Sequence, residues 1–251
     1  MTSGKPDISI PAQTLDLRLA RLALVHDNIF EPIVSACPDR PFVVAQLGQS
    51  LDGRIATASG ASRWINGPSA LDHLHRLRAH VDAVVVGVGT ITADDPLLTV
   101  RRVAGRQPAR VIIDPNGRLE ASARCLASDG ARCFVVRGKE GPVPRGAEPL
   151  VVTSSGVDLE PAAIAEALFR QGLKKILIEG GAKTVSHFID ARMVDRIHLL
   201  VAPVILGSGI QGLSLAPIGG LDEALRPETR VHILDGGDVL FDCNLRQQRR
   251  G

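Results

Sequence analysis

The run Glu179-Gly180-Gly181-Ala182-Lys183-Thr184 sets a carboxylate, two glycines and a helix start directly after the apolar segment Lys175-Ile176-Leu177-Ile178. Paired glycines between a strand and a helix let backbone approach a ligand closely. The free N–H groups and partial positive charge of the helix N-terminus suit a pyrophosphate. The pattern is neither GxGxxG nor the GxxxxGK(S/T) phosphate loop, and a tight strand-to-helix turn would read the same way. Glu179 suits hydrogen bonding to an amino-pyrimidine or a similar ring, or an ion pair with a nearby Lys or Arg. A second stretch, Gly87-Val88-Gly89-Thr90, precedes Asp94-Asp95-Pro96. Two adjacent carboxylates there fit a turn cap as readily as a ligand contact, and no third residue has metal-ligand spacing. A third stretch leaves the strand Phe42–Leu47 at Gln46-Leu47-Gly48, turns at Asp52-Gly53 and ends in Ser62-Arg63-Trp64-Ile65-Asn66-Gly67-Pro68. Trp64, the one tryptophan, reads as a core aromatic or as a lid against a flat ring. Arg78 and Arg101 are surface charges unless the substrate carries a phosphate, whose geometry Arg matches.

Other chemistries find little support. His73 and His75 stand two apart on a helix, a spacing that does not present both on one face for a metal. No GxSxG elbow, HExxH pair or cysteine-nucleophile signature occurs, and no metal is expected. The four cysteines (Cys37, Cys125, Cys133, Cys243) form no CxxC and read as buried free thiols. A net charge of +2, 3% aromatics and no Tyr argue against a nucleic-acid surface. No signal peptide and no apolar run near the roughly 20 residues of a membrane helix are found. The expectation is a soluble, cytoplasmic protein with no membrane and no nucleic-acid partner.

The elements that must hold these stretches alternate. With 45% hydrophobic residues among 251, the chain can bury a large core. Residues Thr14–Val34 space Leu15, Leu19, Leu22 and Ile29 as an amphipathic helix, expected to dock on the main domain or on a partner subunit. Ser35–Pro41 reads as a linker. The predicted domains are therefore an N-terminal extension over 1–39 and a catalytic domain over 40–251. Pro68 suits a helix start, and the helix over 69–80 has Ala70, Leu74 and Leu77 as its apolar face, with Arg76 and Arg78 outside it. Strands are predicted at 83–86, 110–114, 133–136, 150–152, 175–179, 197–206, 230–234 and 239–245, with helices at 161–171 (capped by Gly172) and 184–191. The strand at 83–86 is expected to end at Gly87-Val88-Gly89-Thr90, with an acidic turn over Thr92-Ala93-Asp94-Asp95-Pro96. The alternation predicts an α/β domain with a mostly parallel sheet, antiparallel additions at one edge and flanking helices.

Taken together, SLDGRIATASG, SRWINGP, LRA, VGVGTITADDPLLTVR and ILIEGGAKT strongly resemble the reductase domain of the bacterial riboflavin biosynthesis deaminase/reductase family, over about Arg40 to Leu245. The resemblance implies a dihydrofolate reductase-like fold, NADPH as hydride donor and a homodimer. It implies reduction of the ribosyl group of a 5-amino-6-ribosylamino-pyrimidine 5′-phosphate to ribityl. By position, Gly48, Trp64, Thr90, Asp94 and the run Gly181, Ala182, Lys183, Thr184, Val185, Ser186 would contact the cofactor. Ser62, Arg78, Leu98, Arg101 and Glu179 would contact substrate, the two arginines at the phosphate and Glu179 at the ring. The implied chemistry is one of positioning, in which donor and acceptor are aligned and water is excluded. No residue is assigned as proton donor.

Two positions depart from the family pattern. Gln46 stands where members usually carry a Lys facing the pyrimidine, and Pro115 where they often carry a Ser near the cofactor 2′-phosphate. NADH therefore stays open beside NADPH. The HxE and PCxxC signature of the zinc deaminase half is not found, so a stand-alone reductase is expected. Two alternatives remain open: the same chemistry on another pterin-like or imine compound, motivated by Gln46, and a non-catalytic nucleotide-binding module.

Overall fold

The computed structural model describes residues 29–153 and 159–246. Most of the predicted Thr14–Val34 helix lies outside them. Its described end is a turn at Ile29-Phe30 and one helical turn, α1 (Glu31–Val34). Ile29, Phe30 and Ile33 are buried against the sheet, so this end docks on the chain's own core.

A nine-stranded sheet dominates, in the order β10-β11-β8-β1-β7-β3-β4-β5-β6. Its strands are β1 (Phe42–Ser50), β3 (Ala83–Gly87), β4 (Ala109–Ile113), β5 (Cys133–Arg137), β6 (Glu148–Val151), β7 (Lys175–Ile178), β8 (Arg196–Ala202), β10 (Glu228–Ile233) and β11 (Val239–Asn244). The first seven pair in parallel, while β11 runs antiparallel to β8 and β10 antiparallel to β11. The predicted mostly parallel sheet with an antiparallel edge is what forms. Central strands are continuous runs of Val, Ile and Leu because both faces are covered. On one face Val43, Ala45, Val85 and Ile178 meet α4 (Pro161–Arg170) and α5 (Ala182–Asp190) through Ile164, Leu168, Val185 and Phe188. On the other, Val44, Val84, Val86 and Leu177 meet α1, α2 (Pro68–His80) and α3 (Val88–Asp94). Each such fully buried side chain contributes roughly 1.5–3 kcal/mol of apolar transfer.

Three expectations are corrected. β1 does not stop near Gly48 but continues to Ser50, because β8 keeps pairing with it through Gly48↔Leu200 and Ser50↔Ala202. The expected turn does not begin at Thr92, because Val88–Asp94 forms α3 and takes in Thr92, Ala93 and Asp94. Its intrinsic helix preference is poor, and burial of Val88 and Ile91 one turn apart outweighs the glycine cost. Asp95 closes α3 in the left-handed region with φ 40°. Last, β8 ends at Ala202. Gly209–Gln211 forms β9 and pairs with β2 (Arg54–Thr57), a ribbon not anticipated from the sequence. The loop between β8 and β9 is pinned by Asp52, which accepts the Leu206 and Gly207 N–H groups at 3.1 and 2.7 Å. The Ser50 hydroxyl chiefly, with the Leu206 N–H next, holds the Asp52 carboxyl down to about 2.

Gly172 caps α4 as expected, at φ 81°, with Leu173 N–H returning to the Leu168 carbonyl at 3.0 Å. Cys125, Cys133 and Cys243 are buried free thiols, while Cys37 is exposed. Burial pushes the Cys133 thiol up to about 12, which leaves it inert near neutrality. No helix among the described residues is long and apolar enough to cross a membrane.

Candidate active site

The C-terminal ends of β3 and β7, the middle of β1 and the N-terminal ends of α2, α3 and α5 surround one cleft of about 660 Å³. That volume fits a dinucleotide-sized or drug-sized ligand, and the place is where parallel α/β sheets open to ligands. The three stretches singled out in the sequence meet here. Gly48 and Ser62 line one wall, Thr90 and Asp94 the next, and Glu179, Gly181, Ala182, Lys183 and Thr184 the third. Ser62 Oγ stands 3.4 Å from Asp94 Oδ1, which brings the first two stretches together across the mouth.

The Gly-Gly turn has a steric reason. Gly180 sits at φ 84°, and a Cβ there would lie 2.9 Å from Thr90 Cγ2. Thr90 Oγ1 accepts the Gly181 N–H at 3.0 Å, locking the turn to α3. The α5 N-terminus begins at Gly181 with no side-chain cap, and Ala182, Lys183 and Thr184 of its first turn line the cleft. That arrangement fits an anion, and a bare glycine surface beside it fits a group that must approach closely.

Glu179 and Arg78 form the most buried charged pair of the wall. Arg78 is 4% exposed. Its Nε donates to Glu179 Oε2 at 2.9 Å, its Nη2 donates to Glu179 Oε1, and its Nη1 donates to the Thr99 carbonyl at 2.9 Å. The sequence placed Arg78 outside the apolar stripe of α2. The structure buries it because a second layer, residues 98–101, covers that side of the helix. The same layer explains His75: its Nδ1 accepts the Arg101 N–H at 3.1 Å. Burial, then the charges of Arg78 and Arg101, lower His75 to about 4. His73, also buried, faces the sheet instead and shares a 2.9 Å contact between its Nε2 and His198 Nδ1. The two histidines thus point to different partners, as their spacing required. Behind them, burial pushes the Asp242 carboxyl up, but His198 and Arg196 more than offset this and hold it at about 2.

Both histidines are buried neutral, with His73 held well below 6.5 by burial first and then by His198. The unfolded chain therefore binds more protons than the folded one between the two His75 values of 6.5 and about 4. The stability that neutral His75 contributes is complete above about pH 6.5 and is lost as pH falls through about 4. Urea unfolding at pH 7 and pH 5 should show the decline. His75→Asn, which keeps an acceptor for the Arg101 N–H, should flatten it.

Several expected contacts stand elsewhere. Trp64 is 84% exposed, on a loop beside the cleft. Leu98 is fully buried in the core at φ 57°, so its place shapes the backbone of the covering layer. Arg101 is exposed at the rim of that layer, and its guanidinium is lowered by burial and by the neighbouring charges of Arg78 and Arg124. Val185 belongs to the core, and Ser186 accepts the Ser214 N–H at 2.9 Å.

Other lining residues went unmarked in the sequence. Leu71 and Leu74 supply an apolar wall, Asn66 lies against Gly48, and Arg118 and His187 bring further basic groups. Arg118 could have been found, since it follows the Pro115-Asn116-Gly117 turn after β4. Gln46 is 7% exposed and lines the cleft. Its amide makes no side-chain hydrogen bond to another described residue.

The RibD C-terminal domain model matches residues 41–235. The chain is 34% identical to the riboflavin biosynthesis protein RibD of Aquifex aeolicus over 75% of its own length and 53% of that protein. It is 32% identical to the 2,5-diamino-6-ribosylamino-4(3H)-pyrimidinone 5′-phosphate reductase of Methanothermobacter thermautotrophicus, over 82% of its own length and 99% of that protein. In structure it is similar to a Thermotoga maritima diaminohydroxyphosphoribosylaminopyrimidine deaminase/5-amino-6-(5-phosphoribosylamino)uracil reductase. There the TM-score is 0.72 and the identity 28%, over 87% of this chain and 60% of that one. The chain thus spans about half of the first of these relatives and nearly all of the second.

Proposed function

The chain belongs to the RibD C-terminal domain family, and from that premise we propose that it reduces the ribosyl group of a ribosylamino-pyrimidine 5′-phosphate to ribityl, with NADPH as reductant, in riboflavin biosynthesis. The observation that carries this reading is the single cleft that joins the uncapped α5 N-terminus to the Glu179 carboxylate. A nicotinamide cofactor, when bound, supplies the hydride for the sugar C1. The protein's residues do the positioning. Ala182, Lys183 and Thr184 hold the pyrophosphate over Gly181, Thr90 and Asp94 bound its other side, and Gly48 lies on the facing wall. Val185 and Ser186 support that turn from within, and Trp64 covers the cofactor.

On the substrate side, Glu179 accepts the ring's N–H groups. Arg78 holds Glu179 in its rotamer, Leu98 sets the backbone that carries Arg101, and Ser62 faces the sugar. The crowding of Arg101 by Arg78 and Arg124 leaves positive potential suited to a phosphate. Arg118, beside Pro115 on the cleft wall, supplies the cation for a cofactor 2′-phosphate where no hydroxyl is offered. Complementation tests the reading: the gene should rescue a riboflavin auxotroph that lacks only the reductase, and failure of a well-expressed protein to do so counts against it.

A second reading rests on Gln46. Its unpartnered amide offers both a donor and an acceptor to a ring, a pattern that suits a heterocycle other than the pathway pyrimidine. Gln46→Lys distinguishes the two. If the ring differs, the substitution should raise activity on the pathway compound about tenfold, the worth of one charge-assisted hydrogen bond. Unchanged strong activity removes this reading.

The proposal includes a homodimer in the cytoplasm. β10 is an edge strand exposed on both faces, with Ile233 76% exposed and Val231 also open. A bare apolar edge invites pairing, and light scattering should report two copies. The free cysteines suit a reducing compartment.

A further inference from the structure

We propose that Asp238 is a positioning residue. Its carboxylate, reaching in from the β10–β11 hairpin, clamps the Asn66-Gly67 end of the Trp64 loop and so holds that loop ready for the cofactor. The cofactor half of this inference rests on the reading above, and the clamp itself does not.

Asp238 is 1% exposed. Oδ1 accepts from Asn66 Nδ2 at 2.9 Å, and Oδ2 accepts from the Gly67 N–H at 2.7 Å. A buried carboxylate that takes two donors from a loop 171 and 172 residues away is a built contact. The hairpin aims it. Gly236 and Gly237 stand at φ 95° and 92°, and Leu234 N–H closes on the Asp238 carbonyl at 2.8 Å. The fit is close, since a Cβ on Gly67 would lie 2.9 Å from Asp238 Oδ2.

Two consequences reach the cleft. With its Nδ2 held by Asp238, Asn66 turns Oδ1 onto Gly48, so near that a Cβ there would lie 2.1 Å from it. Both residues line the cleft. Gly67 is also the N-cap of α2, so the clamp sets where that helix begins, and Leu71 and Leu74 with it. On its far side the loop closes on itself, with Thr57 N–H bonded to the Ala61 carbonyl at 3.0 Å and Ala61 N–H to Thr57 Oγ1 at 3.1 Å. Trp64 lies between these two anchors with φ 72°, a conformation a bulky residue keeps only where its surroundings hold it.

Because Trp64 is the sole tryptophan, its time-resolved fluorescence anisotropy reads the loop without a label. Asp238→Ala should lower the Trp64 anisotropy in the cofactor-free protein. It should weaken NADPH binding about tenfold to a hundredfold, as ordering a few loop residues moves into the binding step, and change the substrate KM less. The exchange Asn66→Asp with Asp238→Asn keeps one donor facing one acceptor and should restore the anisotropy even if Asp238→Ala folds poorly. An unchanged anisotropy in folded Asp238→Ala, or a mobile Trp64 in the folded exchange variant, overturns the clamp. A clamp that moves Trp64 while NADPH affinity stays constant overturns its role toward the cofactor. Failure of the unaltered protein to bind NADPH sinks the reading of the site and leaves the anisotropy result standing.

Discussion

Glu179→Ala is expected to destabilise the protein by about 3–5 kcal/mol and to abolish reduction. The carboxylate is held by two bonds from a guanidinium that is itself buried. Its removal strands the Arg78 charge beside the cleft with only the Thr99 carbonyl as partner. Glu179→Gln should cost less, because an amide oxygen still accepts one bond. Replacing both partners, as Arg78→Met with Glu179→Leu, should recover most of the stability, since well-packed apolar side chains can stand in for a buried pair. Activity should not return, because the group that meets the ring is gone. Urea unfolding and steady-state reduction on the three variants separate the two roles. Recovery of stability together with activity would show that the pair serves the fold alone.

The second large effect is expected at the Gly-Gly turn. Gly180→Ala meets two penalties. A left-handed φ costs an L-residue roughly 1–2 kcal/mol, and the new Cβ would press on Thr90 at 2.9 Å. Gly172→Ala is the matched control, with nearly the same φ of 81° and nothing within 4 Å of its Cβ. Both variants should lose stability from the backbone. Only Gly180→Ala should lose activity, by about 100-fold, since displacing Thr90 and the α5 N-terminus by a fraction of an ångström misaligns the reactants. Equal activity in the two variants would mean that the turn is a connection and nothing more.

These two sites differ in how far the sequence exposes them. The Gly-Gly turn is legible because its signal is local: an apolar strand, two glycines and a helix in ten residues. The parallel sheet is legible for the same reason, in runs such as Ala83–Val86. The Glu179–Arg78 pair is not, because its members are 101 residues apart. The sequence allows Glu179 an ion pair but does not say with which cation, and it leaves Arg78 as a surface charge or a phosphate contact; only the fold shows that the two face one another. His73 and His75 carry a similar lesson. Their spacing excludes a shared face, and a helix covered on two sides buries both. α3 escaped notice because Gly87 at its N-cap and Gly89 in its first turn weaken the local signal, and tertiary burial of Val88 and Ile91 supplies what propensity withholds. Asp238 is the extreme case. It looks like a hairpin-turn residue, which it also is, and its reach to Asn66 depends on a sheet order no local pattern encodes.

The central claim is hydride transfer from NADPH to the sugar of a phosphorylated ribosylamino-pyrimidine. It is tested most directly by mixing the purified protein with NADPH or NADH and the pathway pyrimidine, in its diamino or deaminated form. The loss of reduced cofactor is followed and the product is weighed. The account predicts consumption of NADPH, faster than of NADH, matched one to one by a product two hydrogens heavier in its sugar. NADPH that binds but is not consumed with either pyrimidine, or is consumed without a ribityl product, would contradict it.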